Sequence, residues 1–268
     1  MALHDIIVIG VSPSGVHLLI GPDGIRLGYG PRENMARPAV DPLFRSAALS
    51  FGPRVIGVVL SGDLNDGTAG LAAVKQCGGI AVVQDPGDAL APAMPRSALS
   101  QVTVDHCLPA AELGALLVRL PRLPAGKPSP VPADIRLEVA IAAGTGSSLD
   151  EIKKLGNPSP FTCPECNGVL SEMKGAVPLR FRCQVGHAYT ADTLAHPKRC
   201  NRGSPSCCPA DHSGTSRAGE AAGAGRACSR PAAIGFALRG PRRRLPQVLR
   251  NTPRRRGIHP RFAGRREP

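Results

Sequence analysis

Tryptophan is absent from this 268-residue chain, and six Phe and two Tyr are its only large aromatic residues. Large aromatics supply much of the apolar area that a core buries, so their scarcity argues against one uniformly packed globule of this length. No apolar run approaches the roughly 18 residues of a membrane span. The richest runs, Ile6–Val11 and Val55–Leu60, are only strand-sized, and no membrane insertion is expected. Met1–Asp5 has no basic n-region and no small-residue cleavage site follows a long apolar stretch, so no secretory leader is expected either. The nine cysteines include a Cys-x-x-Cys pair rather than a scattered disulfide framework, which favours a reducing cytoplasm.

Lysine is nearly missing from the last quarter of the chain. The net charge of +13 is therefore unevenly spread: residues 1–195 hold 16 Lys+Arg against 17 Asp+Glu, and residues 196–268 hold 17 against 3, with Lys198 the single lysine among sixteen arginines. A basic chain ordinarily suggests a nucleic-acid partner. Lys is as good a point-charge phosphate ligand as Arg, so an Arg/Pro/Gly/Ala-rich tail that excludes it fits out-of-frame reading of a GC-rich gene better. Nucleic acid is not the expected partner, and 196–268 reads as a disordered basic tail.

What precedes the tail alternates strands and helices. Ile6–Val11 reads as a buried parallel strand delivering Ser12 at its C-terminal end. Leu18–Ile20 and Ile25–Leu27 flank Gly-Pro-Asp-Gly, a hairpin signal. Ala39–Leu49 has helical spacing. Val55–Leu60 is a second buried strand, followed by the turn Ser61–Gly67 and a helix at Thr68–Gln76, and Ile80–Val83 is a third strand. Met94–Ser100 and Ala110–Leu120 read as helices with a short strand, Val102–Val104, between them. This pattern predicts an α/β fold, a parallel sheet with helices on both faces. The prolines at 121, 124, 128, 130 and 132 mark a linker over 121–159. A small Cys/His module occupies 160–195.

Two places can carry chemistry. Working groups of open α/β sheets gather at the C-terminal ends of strands, which singles out Ser12 and Asp66. A Ser hydroxyl becomes a useful nucleophile beside a base that a carboxylate orients, although Ser and Asp in such turns also serve as helix caps. The second place is Cys163-Pro-Glu-Cys166 with Cys183-Gln-Val-Gly-His187. Two short-spaced pairs on tight turns are what tetrahedral Zn²⁺ requires, and a closed Cys₃His set is structural rather than catalytic.

Four segments in order, Ile9-Gly-Val-Ser-Pro-Ser-Gly15, Arg37-Pro-Ala-Val-Asp-Pro-Leu-Phe44, Val55-Ile-Gly-Val-Val-Leu-Ser-Gly-Asp-Leu-Asn-Asp-Gly-Thr-Ala-Gly70 and Met94-Pro-Arg-Ser-Ala98, resemble the catalytic domain of CheB-type chemotaxis protein-glutamate methylesterases, over about residues 1–120. The resemblance implies a nucleophile at Ser12, the triad carboxylate at Asp66, and hydrolysis of γ-glutamyl methyl esters on the cytoplasmic helices of methylated chemoreceptors, releasing methanol. That chemistry implies no cofactor for catalysis. Some methylesterase-like proteins also carry a ribbon similar to Phe181–Tyr189, which implies a structural zinc.

The chain departs from that family near residues 16–17. The segment expected to carry a crossover helix and the catalytic His is missing there, and His17 belongs by its neighbours to the hairpin. The resemblance then implies an impaired enzyme, in a sheet lacking a central strand and leaving Ile7, Ile9, Val58 and Val59 poorly covered. With the match beginning at the first residues, control by an attached receiver domain is not expected. Two other readings stay open: a catalytically silent interaction module, and a zinc-ribbon nucleic-acid binder, the latter undercut by the near-neutral 1–195.

Overall fold

The computed structural model describes residues 12–145 and 153–195, together with the backbone of Ile234–Leu238. The expected first strand, Ile6–Val11, lies outside the described residues. The first element among the described residues is a hairpin, β1 (His17–Gly21) and β2 (Gly24–Gly28), closed through Pro22 and Asp23 and paired antiparallel with Ile20 opposite Ile25. Helix α1 (Val40–Phe51) then turns Val40, Leu43, Phe44, Ala47 and Ala48 into the core. The hairpin lies against it, Leu18 and Ile20 adding to that core. Ser46 and Ser50 of α1 satisfy β1: the Ile20 amide donates to Ser46 Oγ at 3.0 Å, and Ser50 Oγ donates to the Ile20 carbonyl at 3.1 Å.

Strand β3 (Val55–Val59) is buried throughout, as a β-branched run covered on both faces should be. It is followed by α2 (Thr68–Gln76), β4 (Ile80–Gln84), α3 (Ala93–Gln101), β5 (His106–Leu108) and α4 (Ala110–Arg119). β3, β4 and β5 run parallel. Their alternating side chains feed two cores. Val55, Val59, Ala81 and Val83 meet α1, α2 and α3, while Ile56, Val58 and Val82 meet Leu113 and Leu116 of α4 and Leu120. The sheet is thus an α/β arrangement with helices on both faces.

Four expectations need correcting. The strand placed at Val102–Val104 forms at His106–Leu108, because Asp105 first binds the Ala81 amide (2.7 Å) and Lys75 (2.8 Å), delaying entry to the sheet. Cys77 and Cys107 both sit beside apolar strands in the sequence and so read as packing residues; Cys77 is buried, but Cys107 is exposed. The linker region 121–159 contains helix α5 (Ala133–Ala143), starting directly after Pro132, the last of the clustered prolines. Its helical pattern is masked because Glu138, which reads as a solvent-facing charge, is fully buried. Finally, Val58 and Val59 are buried rather than poorly covered, while Ile7 and Ile9 lie outside the described residues.

The C-terminal ribbon is an antiparallel sheet of β6 (Gly156–Thr162), β7 (Val169–Met173), β8 (Arg180–Cys183) and β9 (Ala188–Thr190), closed by α6 (Ala191–Ala195). Inside the expected tail, β10 (Ile234–Leu238) pairs antiparallel with β3.

Buried charges join the ribbon to the α/β layer. Glu138 of α5 accepts both Nη atoms of Arg180 (2.7 and 2.8 Å) and one from Arg182 (2.8 Å), with Arg45 of α1 at 3.3 Å. Glu33 pairs with Arg45 and, at 3.3 Å, with Arg182. Burial alone would raise the pKa of Glu138, but Arg180, Arg45 and Arg182 outweigh it and hold the carboxyl well below the usual range. Arg182 also donates to the Gly186 carbonyl at 2.7 Å, which ties this lattice to the Cys/His loop.

Candidate functional site

Asp66 follows β3 in a turn that includes Leu64 with φ 61° and Gly67 with φ 85°. A non-glycine residue in the left-handed region is held there only by its surroundings. The Asp66 carboxylate reaches across to α1: Oδ2 accepts the Val40 amide at 2.8 Å, and Oδ1 accepts the amides of Asp41 (3.3 Å) and Gly67 (2.9 Å). α1 has no cap from its own Ala39, so Asp66 supplies one from another loop. Asp41 returns the favour, its Oδ1 accepting the Gly70 amide of α2 at 2.7 Å. Burial, with Asp41 close by, pushes the Asp66 pKa up to about 7 against the pull of the α1 amides. Three of the carboxylate's roughly four acceptor positions are taken, which leaves one to orient a base.

Ser12 is partly exposed, and its Oγ donates to the Val16 carbonyl at 3.0 Å. No hydrogen bond joins it to an imidazole or carboxylate among the described residues. His17 is fully buried, with both ring nitrogens engaged: Nε2 lies 2.9 Å from the Pro31 carbonyl and Nδ1 accepts the Ala39 amide at 3.2 Å. That pair of partners fixes the neutral Nε2–H tautomer, and burial lowers the ring's pKa. Its place in β1 matches the assignment to the hairpin.

Cys163, Cys166, Cys183 and His187 converge, all four donor atoms lying within 4.8 Å of one another. Cys166 Sγ is 3.6 Å from Cys183 Sγ, and His187 Nδ1 is 3.7 Å from Cys163 Sγ and 3.5 Å from Cys183 Sγ. Zn–S bonds of about 2.3 Å and Zn–N bonds of about 2.0 Å place neighbouring tetrahedral ligand atoms roughly 3.5–3.8 Å apart. The spacing therefore fits a tetrahedral ion. Two turns shape the site. Asn167 (φ 59°) donates to the Cys163 carbonyl at 2.8 Å, and Gly186 (φ 104°) donates to that of Cys183 at 2.9 Å. His187 Nε2 lies 3.2 Å from Glu165, a carboxylate placed to orient the imidazole were it to bind a metal. Tyr189 OH lies 3.5 Å from Cys163 Sγ.

Sequence reasoning missed Asn65, Thr190 and Thr193, whose side chains meet below the Asp66 turn. The only signal was an amide beside Asp66, and amides are common in turns.

Residues 6–117 match the family model "CheB methylesterase". A putative protein-glutamate methylesterase/protein-glutamine glutaminase of Leptospira interrogans is 41% identical over 111 residues, 41% of this chain and 58% of that protein. Protein-glutamate methylesterase FrzG of Myxococcus xanthus is 38% identical over 123 residues, 44% of this chain and 37% of its own length. Among solved structures, the Thermotoga maritima CheB methylesterase catalytic domain is similar at 30% identity and a TM-score of 0.40, covering 41% of this chain and 60% of that one. The chain thus spans little more than half the length of the first of these relatives and less of the second.

Proposed function

We propose that residues 6–117 are a shortened protein-glutamate methylesterase domain, with Ser12 as nucleophile, Asp66 as triad carboxylate and methyl-esterified glutamates on chemoreceptor helices as substrate. The match of these residues to the CheB methylesterase family model carries the reading. In such a reaction Ser12 Oγ forms a bond to the ester carbonyl carbon, the bond to the methoxy oxygen breaks, and methanol leaves with a proton. Water then cleaves the acyl-enzyme. Each half needs a group that accepts a proton from Oγ or water and returns one to the leaving oxygen. His17 does not serve, because one ring nitrogen donates to Pro31 and the other accepts from Ala39. Losing one triad member commonly costs about 10⁴ to 10⁶ in rate, so turnover of the chain as it stands is near background.

The four-ligand cluster supports a structural zinc, since its thiol and imidazole donors stand at tetrahedral spacing with none left over for an open position. Zinc held this way requires reduced thiols, which supports a cytoplasmic location.

The test is methanol release from methylated receptor fragments. The expected result is near-background release that Ser12→Ala barely changes, and Ser12-dependent turnover once a His-bearing crossover from an intact relative is inserted after Gly15. Failure of that graft to hydrolyse the ester, with the fold intact, refutes the assignment. Enzyme-like release by the unmodified chain that Ser12→Ala abolishes refutes the claim of impairment.

A further inference from the structure

We infer that Asn65 is a positioning residue through which the Cys/His ribbon holds the Asp66 turn, so that metal at Cys163, Cys166, Cys183 and His187 fixes the geometry of that turn. The inference rests on the role proposed for Asp66 and on the fit of the four donors to a metal ion.

Three buried side chains form a closed ring. Asn65 Nδ2 donates to Thr190 Oγ1 at 2.5 Å, Thr190 Oγ1 donates to Thr193 Oγ1 at 2.9 Å, and Thr193 Oγ1 donates back to Asn65 Oδ1 at 2.6 Å. Each hydroxyl both gives and accepts within the ring, the arrangement in which buried hydrogen bonds reinforce one another. Asn65, Thr190 and Thr193 are 3%, 1% and 0% exposed, so a broken ring leaves polar atoms with no water to turn to. Asn65 lies between Leu64, whose φ of 61° needs outside support, and Asp66 itself. The ring's two hydroxyls come from the ribbon.

Those hydroxyls depend on the metal ligands for their position. Thr190 ends β9, the three-residue strand that begins directly after His187. Cys183 donates its amide to the His187 carbonyl at 3.0 Å, and Tyr189 OH touches Cys163 Sγ. The Asn34 amide donates to the Ala188 carbonyl at 2.8 Å, and the Thr190 amide donates to Asn34 Oδ1 at 3.1 Å. Asn34 Nδ2 donates in turn to Asp41, the residue whose amide binds Asp66. Two routes therefore run from β9 to the Asp66 carboxylate, one through Asn65 and one through Asn34 and Asp41. Apart from Cys163 and Cys183, the buried members of the ribbon's central cluster among the described residues are Leu170, Phe181 and Tyr189, with Met35, Ala191 and Leu194 packed against them. A core so small relies on its metal to stay folded.

The test is amide hydrogen exchange on the full chain, zinc-loaded and after chelation, with zinc content measured in parallel. Chelation is expected to speed exchange of the Val40 and Asp41 amides and of residues 62–70 about tenfold or more, as well as exchange in the ribbon. Thr193→Val should keep its zinc and speed exchange at 62–70 without chelator, while Thr193→Ser, which restores the hydroxyl, should return it to the unmodified rate. If Thr193→Val fails to fold, Asn65→Ala breaks the same ring from outside the ribbon and is read in the same way. Chelation that loosens the ribbon and leaves residues 62–70 unchanged overturns the inference, as does a zinc-loaded Thr193→Val or Asn65→Ala chain that exchanges like the unmodified one. Because the readouts are exchange and zinc content, a grafted chain without ester turnover but with this coupling refutes the hydrolase reading and supports the clamp.

Discussion

Replacing Glu138 with Ala should be among the most damaging single substitutions in the chain. The carboxylate is fully buried and faces Arg180 through two hydrogen bonds of 2.7 and 2.8 Å, Arg182 at 2.8 Å and Arg45 at 3.3 Å. Of the other buried acids nearby, Glu33 is ionised by its contacts with Arg45 and Arg182, whereas burial pushes Asp41 toward its neutral form. Truncating Glu138 therefore leaves three buried guanidinium groups facing one firmly ionised carboxylate. Breaking a buried pair this way costs about 3–5 kcal/mol, because the charge left behind has no solvent. Domains of ordinary stability have only about 5–15 kcal/mol in total. The assay is urea unfolding of the zinc-loaded chain followed by circular dichroism, with the free energy taken by linear extrapolation.

Two controls make the argument testable beyond a simple loss. Glu138→Leu combined with Arg180→Met removes a partner together with the acid, and should lose less than the two single changes summed. The acid limb should also change. With its folded pKa depressed, Glu138 contributes stability that is present above its ordinary value near 4.5 and lost as pH falls below it. Glu138→Ala should flatten that limb. A loss of less than about 1 kcal/mol, or an unchanged acid limb, would show that the lattice is not held by this carboxylate.

Three further outcomes follow. The purified chain should carry about one Zn²⁺, and Cys166→Ser should release it; full metal content in that variant would mean other cysteines do the binding. His17 has its pKa lowered by burial, so stability should fall as pH drops below the ordinary imidazole value of about 6.5, where the unfolded chain takes a proton that the folded chain refuses. His17→Asn should remove that slope in pH-dependent thermal melts. Gly70→Ala would place a Cβ 2.7 Å from Phe44 Cβ and 2.9 Å from the Asp41 backbone where α1 and α2 cross. Overpacking there should cost about 1–3 kcal/mol in urea unfolding, and an unchanged midpoint would mean that the helices part easily.

Elements whose signals are local were legible in the sequence. The Gly-Pro-Asp-Gly hairpin and the helix at Thr68–Gln76 have turn residues and apolar spacing within a few positions, and both form where expected. The Cys/His cluster was readable for the same reason, since each half of the ligand set lies on one turn. Helix α5 was hidden because Glu138 looks solvent-facing until Arg180 and Arg182, more than forty residues on, are folded against it. The Asn65 ring was out of reach, its members being 125 and 128 positions apart. β10 was missed because five apolar or small residues among sixteen arginines carry no periodic signal, and their partner among the described residues, β3, is distant in sequence.

Capping and catalysis are usually weighed as competing explanations for an Asp in a turn, but at Asp66 one set of contacts bears on both. The α1 amides that it caps hold the carboxylate in one rotamer, and Asp41, on the same helix turn, caps α2 in exchange. A carboxylate at a helix N-terminus is ordinarily favoured as an anion. Here burial and the neighbouring Asp41 outweigh that field and lift the pKa to about 7. An acid so poised is a weak counter-ion on its own, yet an imidazolium beside it would draw it back toward the charged form. The turn therefore needs neither Ser12 nor a histidine to stay in place: α1, α2 and the ribbon position Asp66 between them. That independence accounts for how Asp66, proposed above as the triad carboxylate, is held in good order although among the described residues no imidazole hydrogen-bonds it.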